Sequence, residues 1–199
     1  MRLILASGSP RRRELLSLLT TDFIVIPPSV DEEGSGPPRE RAVAAAVAKA
    51  HEVAKRAGGV IIGADTIVAI DDKILGKPRS RDEARRFLEE LSGREHQVIT
   101  GLCVLSTWTG TEAAGAETSS VRFRVLAPSE IEGYLDTEEY VDKAGGYAIQ
   151  GRGGLFVERI CGDYYNVVGL PLGLFRSLLR EVGSACSLLR PPSGGESRR

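Results

Sequence analysis

The sequence is poor in the residues that build disulfide frameworks and zinc sites. Its 199 residues include three cysteines, Cys103, Cys161 and Cys186, and two histidines, His51 and His96. The cysteines are far apart and odd in number, which excludes a disulfide framework and a Cys-x-x-Cys metal or redox site. So few thiols and imidazoles also make a zinc centre improbable. This cysteine usage is typical of a reducing compartment, and we predict a cytoplasmic protein.

The sequence also lacks an excess of charge of one sign and any long hydrophobic run. Lys and Arg number 26 and Asp and Glu number 27, so the formal net charge is -1 and no global field attracts nucleic acid or an anionic membrane. Aromatic residues make up 6% of the chain, which is too few to suggest a base-stacking platform for nucleic acid. No apolar run approaches the length of a membrane span, and the first residues do not form a signal peptide.

What remains is the composition of an ordinary globular protein, with 42% hydrophobic and 27% charged residues. A chain of this length has room for one domain, which we place at residues 1–183. Residues 184–199 are rich in Pro, Gly, Ser and Arg, and we predict a disordered tail there.

Hydrophobic periodicity and helix-capping signals predict a mixed α/β fold. Helices are expected at 10–19, 39–56, after a capping box at 80–83, after a second capping box at 129–132, and at 171–182. Strands are expected at 3–6, 23–26, 60–62, 66–70, 73–75, 97–106, 119–126, 155–160 and 164–168. The glycine-dense segment 145–154 is expected to be a loop with a short extended piece.

The segment from Ser7 to Arg13 (Ser-Gly-Ser-Pro-Arg-Arg-Arg) has the features of an anion site. A strand, a tight turn and a helix start leave backbone N–H groups unpaired at the positive end of the helix dipole. The hydroxyls of Ser7 and Ser9 and the guanidinium groups of Arg11 and Arg12 add donors suited to phosphate. A capped helix with solvated arginines is the alternative. Phosphate binding is favoured, because consecutive cations at a helix N-terminus are unfavourable without an anion.

Several further charged or polar residues carry weaker signals. Asp65 follows an apolar run, where an isolated carboxylate is costly, so it should meet a metal, a cation or a proton; a turn cap is the alternative. Lys49 is the one charge in an apolar helical stretch and either snorkels or binds an anion. Lys77 and Glu32 fall in loops, where solvated charge is common. The amide of Gln150, in the glycine-dense segment, offers a donor and an acceptor suited to a base edge.

Together these residues provide an anion-binding helix start, several cations and a few carboxylates. This combination is typical of a metal-dependent phosphoryl or nucleotidyl reaction, and hard oxygen ligands suit Mg²⁺ or Mn²⁺.

The same residues resemble the Maf family of nucleoside triphosphate pyrophosphatases. The matching stretches run in family order over 3–182, and although each alone is weak, the whole set is very specific. They are Leu5–Arg12 with Glu14–Leu16, Ser29–Glu32, Ala48–Ala50, Ile62–Thr66, Leu75–Pro78, Leu91–Arg94 with His96, Asp142–Gly151 and Asn166–Pro171.

The resemblance implies an elongated mixed-sheet α/β fold like that of inosine triphosphate pyrophosphatases, with two lobes around a cleft, and usually a homodimer. It implies hydrolysis of a nucleoside triphosphate to monophosphate and pyrophosphate, as nucleotide-pool sanitation. The stretch around Gln150 looks like the branch that acts on dTTP and UTP, so modified pyrimidine nucleotides are also conceivable substrates. Gly146 and Ala148 stand where this branch often has Ala and Gly, a small-for-small exchange.

The resemblance also assigns roles to residues. Asp65, Lys77 and Glu32 are expected to be catalytic, with Asp65 as the proton acceptor and Glu32 and Asp65 near the metal. Substrate binding is expected from Ser7, Ser9, Arg11, Arg12, Lys49, Thr66 and Gln150. Of the matched positions, Arg11, Thr66 and Gln150 are linked to substrate choice, and Ser7, Arg12, Lys49 and Lys77 to phosphate handling. Whether Asp65 acts first as a base or as a metal ligand stays open.

Two other function classes share part of this pattern. A non-catalytic nucleotide-binding regulator of cell division would keep the phosphate donors but would need no acid to activate water. A nucleic-acid-binding module is disfavoured by the net charge and the missing aromatic platform. The presence of Asp65, Glu32 and both lysines favours an enzyme.

Overall fold

The structure, a computed structural model, describes residues 2–30 and 35–183. The predicted tail at 184–199 and the predicted metal ligand Glu32 lie outside the described residues. Within them, seven strands form one mixed sheet, as the mixed α/β prediction requires. The strands are β1 Leu3–Ala6, β2 Phe23–Val25, β3 Val60–Ile70, β4 Lys73–Leu75, β5 Glu95–Ser106, β6 Thr111–Phe123 and β7 Val157–Cys161.

The described helices connect and cover this sheet. They are α1 Pro10–Ser17, α2 Pro38–Ala54, α3 Arg81–Leu91, α4 Pro128–Leu135, α5 Tyr164–Val168 and α6 Leu172–Glu181, with short 3-10 segments at Ala144–Gly146 and Arg152–Phe156. The strand order is β2-β1-β3-β5-β6-β7, and β4 pairs with β3 beside this path. β1 is parallel to β2 and β3, whereas the remaining pairs are antiparallel.

Two local predictions from turn and cap chemistry are confirmed. The hairpin between β3 and β4 turns through Asp71 and Asp72, both with positive φ, as a two-residue loop requires. Helix α3 begins after Ser80, whose side chain accepts the N–H of Glu83. The second predicted capping box is displaced: α4 begins at Pro128, and the Glu130 carboxylate accepts the N–H of Ala127.

Four predicted elements differ from the structure. The strand expected at 119–126 is β6, which begins eight residues earlier, at Thr111. The strands expected at 60–62 and 66–70 are one continuous strand, because residues 63–65 pair with β5 like their neighbours. Residues 164–168 form a helix instead of a strand. There, the Asp163 side chain accepts the N–H of Tyr165, and the buried Asn166 side chain bonds to β5, so polar anchoring outweighs β-propensity. The glycine-dense segment contains 3-10 turns instead of an extended piece.

The core lies in layers on both faces of the sheet. Helix α2 covers one face with small side chains, among them Ala46 and Ala50. On the other face, α1 and α6 pack over one end of the sheet and α3 and α4 pack over the other end. Strands β3 and β5 contribute to the core at both ends, so two lobes share the same strands.

A gap along one edge of β3 separates the two lobes. β1 pairs with β3 up to Gly63, and β4 pairs with it from Val68 onward. Between them, residues 64–67 have β5 on one side and no strand of the described chain on the other. β1 runs parallel and β4 antiparallel to β3, so the carboxyl ends of both strands point into this gap. Ligand crevices in α/β sheets commonly lie beyond such strand ends.

Helix α2 approaches the sheet unusually closely beside this gap. A Cβ added to Gly63 would lie 2.1 Å from the carbonyl oxygen of Ala46, and one added to Gly101 would lie 2.1 Å from that of Ala42. The two glycines therefore let the helix backbone rest on the strands. This contact brings the next turn of α2, with Lys49, over the open edge of β3.

Candidate active site

A cleft of about 1090 Å³ occupies the gap between the lobes. Most of the predicted site residues line it, namely Ser7, Ser9, Arg11, Arg12, Lys49, Asp65, Thr66 and Lys77. Gln150 does not; it is exposed, although the preceding Ile149 lines the cleft. The base-reading role expected for Gln150 therefore stays a prediction.

The start of helix α1 forms the cationic wall of the cleft. Ser9 is the N-cap residue but its side chain makes no capping bond, and Pro10 occupies the first turn. The first turn contains no acidic residue to balance the helix dipole. Ser7 Oγ accepts the N–H of Ser9 at 3.2 Å, which shapes the turn after β1. The positive end of the helix therefore faces the cleft, as an anion site requires.

Arg12 binds several groups of the protein itself. Its Nη1 donates to Ser7 Oγ at 3.1 Å, its Nη2 to Thr66 Oγ1 at 2.9 Å and its Nε to the carbonyl of Gly169 at 2.9 Å. It thus ties α1 to β3 and to the turn after α5. The sequence indicated a phosphate ligand at Arg12; in the structure this guanidinium also holds the cleft wall together.

Arg11 differs from Arg12 because its Nε is buried without a partner in the described part of the chain. Burial lowers the pKa of this guanidinium below its usual value. The nearby Tyr134, Glu14 and Glu139 raise the pKa, but by less than burial lowers it. A buried donor left unpaired is costly. Arg11 is therefore ready to donate to an acceptor that enters the cleft, such as a phosphate or base oxygen.

Lys49 and Asp65 form an ion pair at the centre of the cleft. Lys49 Nζ lies 2.6 Å from Asp65 Oδ1, and the two side chains are 7% and 12% exposed. Asp65 is directly opposite Gly101 on β5, so no side chain of that strand blocks the approach of α2. No group of the described residues donates to Oδ2 of Asp65. The pair therefore presents one available carboxylate oxygen in a nearly dry setting, where electrostatic interactions are strong.

The glycine-rich side of the cleft is held in place by positive-φ glycines and by polar anchors. A Cβ on Gly145, which has φ of 69°, would lie 2.9 Å from Val68 Cγ1. Glu139 accepts the N–H groups of Arg152 and Gly153 at 2.9 and 3.0 Å. Tyr147 lines the cleft, and its hydroxyl lies 2.9 Å from His96 Nε2. Contacts with residues outside the cleft therefore hold this wall in place.

Comparison with known proteins identifies the family. The family model described as Maf-like protein matches residues 2–182. This chain belongs to the Maf family. The resemblance inferred from its motifs is thereby confirmed.

Curated relatives in the Maf family resemble the chain over most of its length. A protein of Thermococcus gammatolerans named dTTP/UTP pyrophosphatase is 53% identical over 181 residues, covering 91% of this chain and 96% of the relative. A protein of the same name from Pyrococcus furiosus is 51% identical over 185 residues, covering 92% and 95%. The match thus extends through both lobes.

A solved structure supports the expected fold of this Maf chain. The Staphylococcus aureus Ham1 protein superposes with a TM-score of 0.52 at 14% identity, covering 92% of this chain and 100% of that one. At this identity the likeness concerns the fold alone. No helix of the described residues is long and apolar enough to cross a membrane.

Metal-ligand chemistry is sparse in the described part of this Maf chain. No group of three or more His, Cys, Asp or Glu residues there could hold a metal ion. Among the described residues, three carboxylates line the cleft: Glu40, Asp65 and Asp142. One protein carboxylate nevertheless fits Mg²⁺, which keeps several waters and takes its other ligands from substrate phosphates.

Several residues that hold the cleft-lining residues in place were not predicted from the sequence. Hydrogen bonds join Thr100 to Thr66 and Gly169 to Arg12, both of which line the cleft. Asn166 bonds to Thr100, and Glu139 holds the glycine-rich wall. Asn166 and Gly169 belonged to a recognised motif, but neither suggested a role. Their partners are distant in sequence, so the available signal was a polar residue between apolar neighbours, as at Asn166.

Proposed function

We propose that this Maf chain hydrolyses dTTP and UTP to the nucleoside monophosphate and pyrophosphate. The relatives that resemble it over both lobes carry the name of that activity. The observation that carries the proposal is the buried Lys49–Asp65 pair at the floor of a cationic cleft. A site that only binds nucleotide would have no need of a desolvated carboxylate facing the phosphates.

The cations of the cleft bind the triphosphate in this proposal. The positive end of α1 supplies backbone N–H groups, and Arg11 supplies a buried Nε donor that has no acceptor among the described residues. Lys77 follows β4 into the same cleft and adds a point charge. Such donors stabilise charge that develops on the pyrophosphate leaving group.

Asp65 then acts on the attacking water. Lys49 holds the carboxylate in one orientation through Oδ1. The available Oδ2 accepts a proton from water as the water oxygen attacks the α-phosphorus and the bond to the bridging oxygen breaks. General base catalysis of this kind contributes about 10²–10⁴-fold in rate.

A divalent cation, Mg²⁺ or Mn²⁺, is part of the proposal. Asp65 would hold it together with phosphate oxygens, and Glu32, outside the described residues, is the second proposed ligand. When bound, it would neutralise phosphate charge and lower the barrier to attack. With Oδ1 bound to Lys49, Oδ2 serves either as the metal ligand or as the proton acceptor, the two alternatives that the resemblance leaves open.

We also propose a cytoplasmic homodimer that removes unwanted pyrimidine nucleotides, including modified ones, from the nucleotide pool. The alternative, a non-catalytic regulator of cell division, is disfavoured because Asp65 and Lys49 are buried together where the phosphates would lie. Sedimentation velocity of the purified chain tests the dimer independently of activity.

The decisive experiment is a product assay on the wild-type chain. Purified protein with Mg²⁺ is given dTTP, UTP, CTP, ATP and GTP separately, and pyrophosphate and phosphate are measured along with the nucleotide product. We expect pyrophosphate with dTMP or UMP. Release of phosphate with a diphosphate would contradict the proposed reaction, and binding without turnover would favour the regulator.

A further inference from the structure

A buried chain of hydrogen bonds runs from the cleft wall into the turn of α5. Thr66 Oγ1 lies 3.0 Å from Thr100 Oγ1, directly across the β3–β5 ladder. Thr100 Oγ1 in turn lies 3.0 Å from the backbone oxygen of Asn166. Thr100 and Asn166 are fully buried and do not line the cleft. Because each hydroxyl has a single proton, this chain has a direction.

The carbonyl of Asn166 sets that direction. A carbonyl oxygen can only accept, so the Thr100 hydroxyl donates to it. The N–H groups of Gly169 and Leu170, which follow α5, bond to Tyr165 instead. If Thr100 donated towards Thr66, the Asn166 carbonyl would be buried without a partner, which is costly. The Thr66 hydroxyl therefore donates to Thr100.

The side chain of Asn166 prevents this chain of hydrogen bonds from reversing its donor-to-acceptor direction. Its Nδ2 donates to the Val98 carbonyl and to Ser119 Oγ, both at 2.9 Å, and its Oδ1 accepts the N–H of Thr100 at 3.1 Å. These bonds clamp the residue to β5 and β6. The backbone carbonyl of Asn166 is therefore fixed beside the Thr100 hydroxyl.

As a result, Thr66 faces the cleft as an acceptor. Its proton is engaged with Thr100, and Arg12 Nη2 donates to its oxygen at 2.9 Å. A ligand acceptor, such as a phosphate oxygen or an unprotonated ring nitrogen, meets only lone pairs there. A ligand N–H can instead donate to Thr66. Uracil and thymine carry a proton on ring atom N3, whereas N3 of cytosine is an acceptor.

We propose that Thr100 and Asn166 are positioning residues for base selection: they hold the Thr66 hydroxyl as an acceptor for the N3–H of uracil or thymine and so disfavour cytosine. This inference rests on the proposed hydrolysis of dTTP and UTP. It adds two residues that touch no substrate and act through the direction of one hydroxyl.

The test compares Thr100→Val with Thr100→Ser, which removes and keeps the hydroxyl respectively. The readout is the ratio of kcat/KM for UTP to kcat/KM for CTP. In Thr100→Val the Thr66 proton is released and can serve cytosine N3, so we expect the ratio to fall about three- to tenfold, the size of one neutral hydrogen bond. Thr100→Ser should keep the wild-type ratio. An unchanged ratio in Thr100→Val would overturn the inference.

A double-mutant cycle shows whether Thr100 acts through Thr66. Thr66→Val alone should lower the ratio, and adding Thr100→Val to it should change the ratio no further. A second fall in the double variant would mean that Thr100 acts elsewhere, which overturns the inference. If Thr100→Val does not fold by circular dichroism, Thr100→Ala takes its place, because it also lacks the hydroxyl.

The wild-type measurement separates this inference from the proposed function. If the wild-type chain releases no pyrophosphate from UTP or dTTP, the proposed function fails. If it does so and the UTP-to-CTP ratio is the same in Thr100→Val, the inference alone fails.

Discussion

The partner of Lys49 could not be identified from the sequence and is visible only in the structure. From sequence, a lone charge in an apolar helix either snorkels or binds an anion. In the structure it is buried and paired with Asp65, 16 positions further along the chain. That pairing depends on the close approach of α2 to β3, which no local pattern encodes. The local structure at Ser7–Arg13, by contrast, was predictable because strand, turn and helix start are contiguous.

The buried pair leads to a prediction for Asp65→Asn. The amide is nearly isosteric but is a far poorer base, so kcat should fall about 100-fold or more. The protein should also lose stability, because removal of one partner from a buried ion pair costs about 3–5 kcal/mol at full burial. The measurements are kcat at saturating Mg²⁺ and the free energy of unfolding in urea.

A matched variant separates the two effects. Lys49→Met removes the other partner and should destabilise similarly, whereas the double variant Lys49→Met/Asp65→Asn carries no unpaired charge and should recover part of the lost stability. Its kcat should stay low, because the carboxylate is still missing. Near-normal turnover in Asp65→Asn would show that the carboxylate is structural.

At the scale of elements, the sequence predicted most helices and strands and missed those that tertiary contacts decide. The long helix α2 and the β3–β4 hairpin followed from periodicity and turn chemistry. Residues 164–168 read as a strand because they are aromatic and β-branched, yet Asn166 anchors them as a helix. The closeness of α2 to the sheet was equally hidden, because glycines in strands indicate close approach but not what approaches.

We predict that Gly101→Ala disturbs stability and catalysis together. The new Cβ would lie 2.1 Å from the carbonyl of Ala42, so α2 must shift away from β5. Overpacking of this kind costs about 1–3 kcal/mol. The same shift withdraws Lys49 from Asp65, so kcat should fall in the fraction that remains folded.

Gly115→Ala is the matched control for this prediction. Gly115 lies on β6, and its added Cβ would meet Leu174 Cδ1 at 3.5 Å, an ordinary contact. Its urea midpoint and kcat should stay close to wild type. If both alanine variants behave alike, the close approach of α2 does not position Lys49.

At the scale of the whole molecule, the sequence indicated one mixed α/β domain, and the family resemblance added two lobes around a cleft. Neither source located the gap in β3, because it results from where β1 ends and β4 begins on the same edge. The lobes are not independent bodies, since β3 and β5 supply core residues to both. A perturbation in one lobe should therefore weaken the whole fold.

His96 offers a way to test this through pH. It lies on β5 in the lobe of α3 and α4, 2% exposed, and packs edge-on against Phe123 and Tyr147. Burial lowers the pKa of His96 from 6.5 to about 4. Between these values the unfolded chain binds a proton that the folded chain does not, so stability falls as pH falls.

We therefore expect the wild-type free energy of unfolding to drop between pH 6.5 and 4, with His96 contributing on the order of 3 kcal/mol. His96→Gln, which keeps a polar atom near the Tyr147 hydroxyl, should remove that share of the pH dependence. Urea unfolding at several pH values, followed by far-ultraviolet circular dichroism, measures the difference. Because β5 joins both lobes, the transition should remain single at each pH. A pH dependence in His96→Gln equal to that of the wild type would contradict the role of His96, and two separate transitions would contradict the coupling of the lobes.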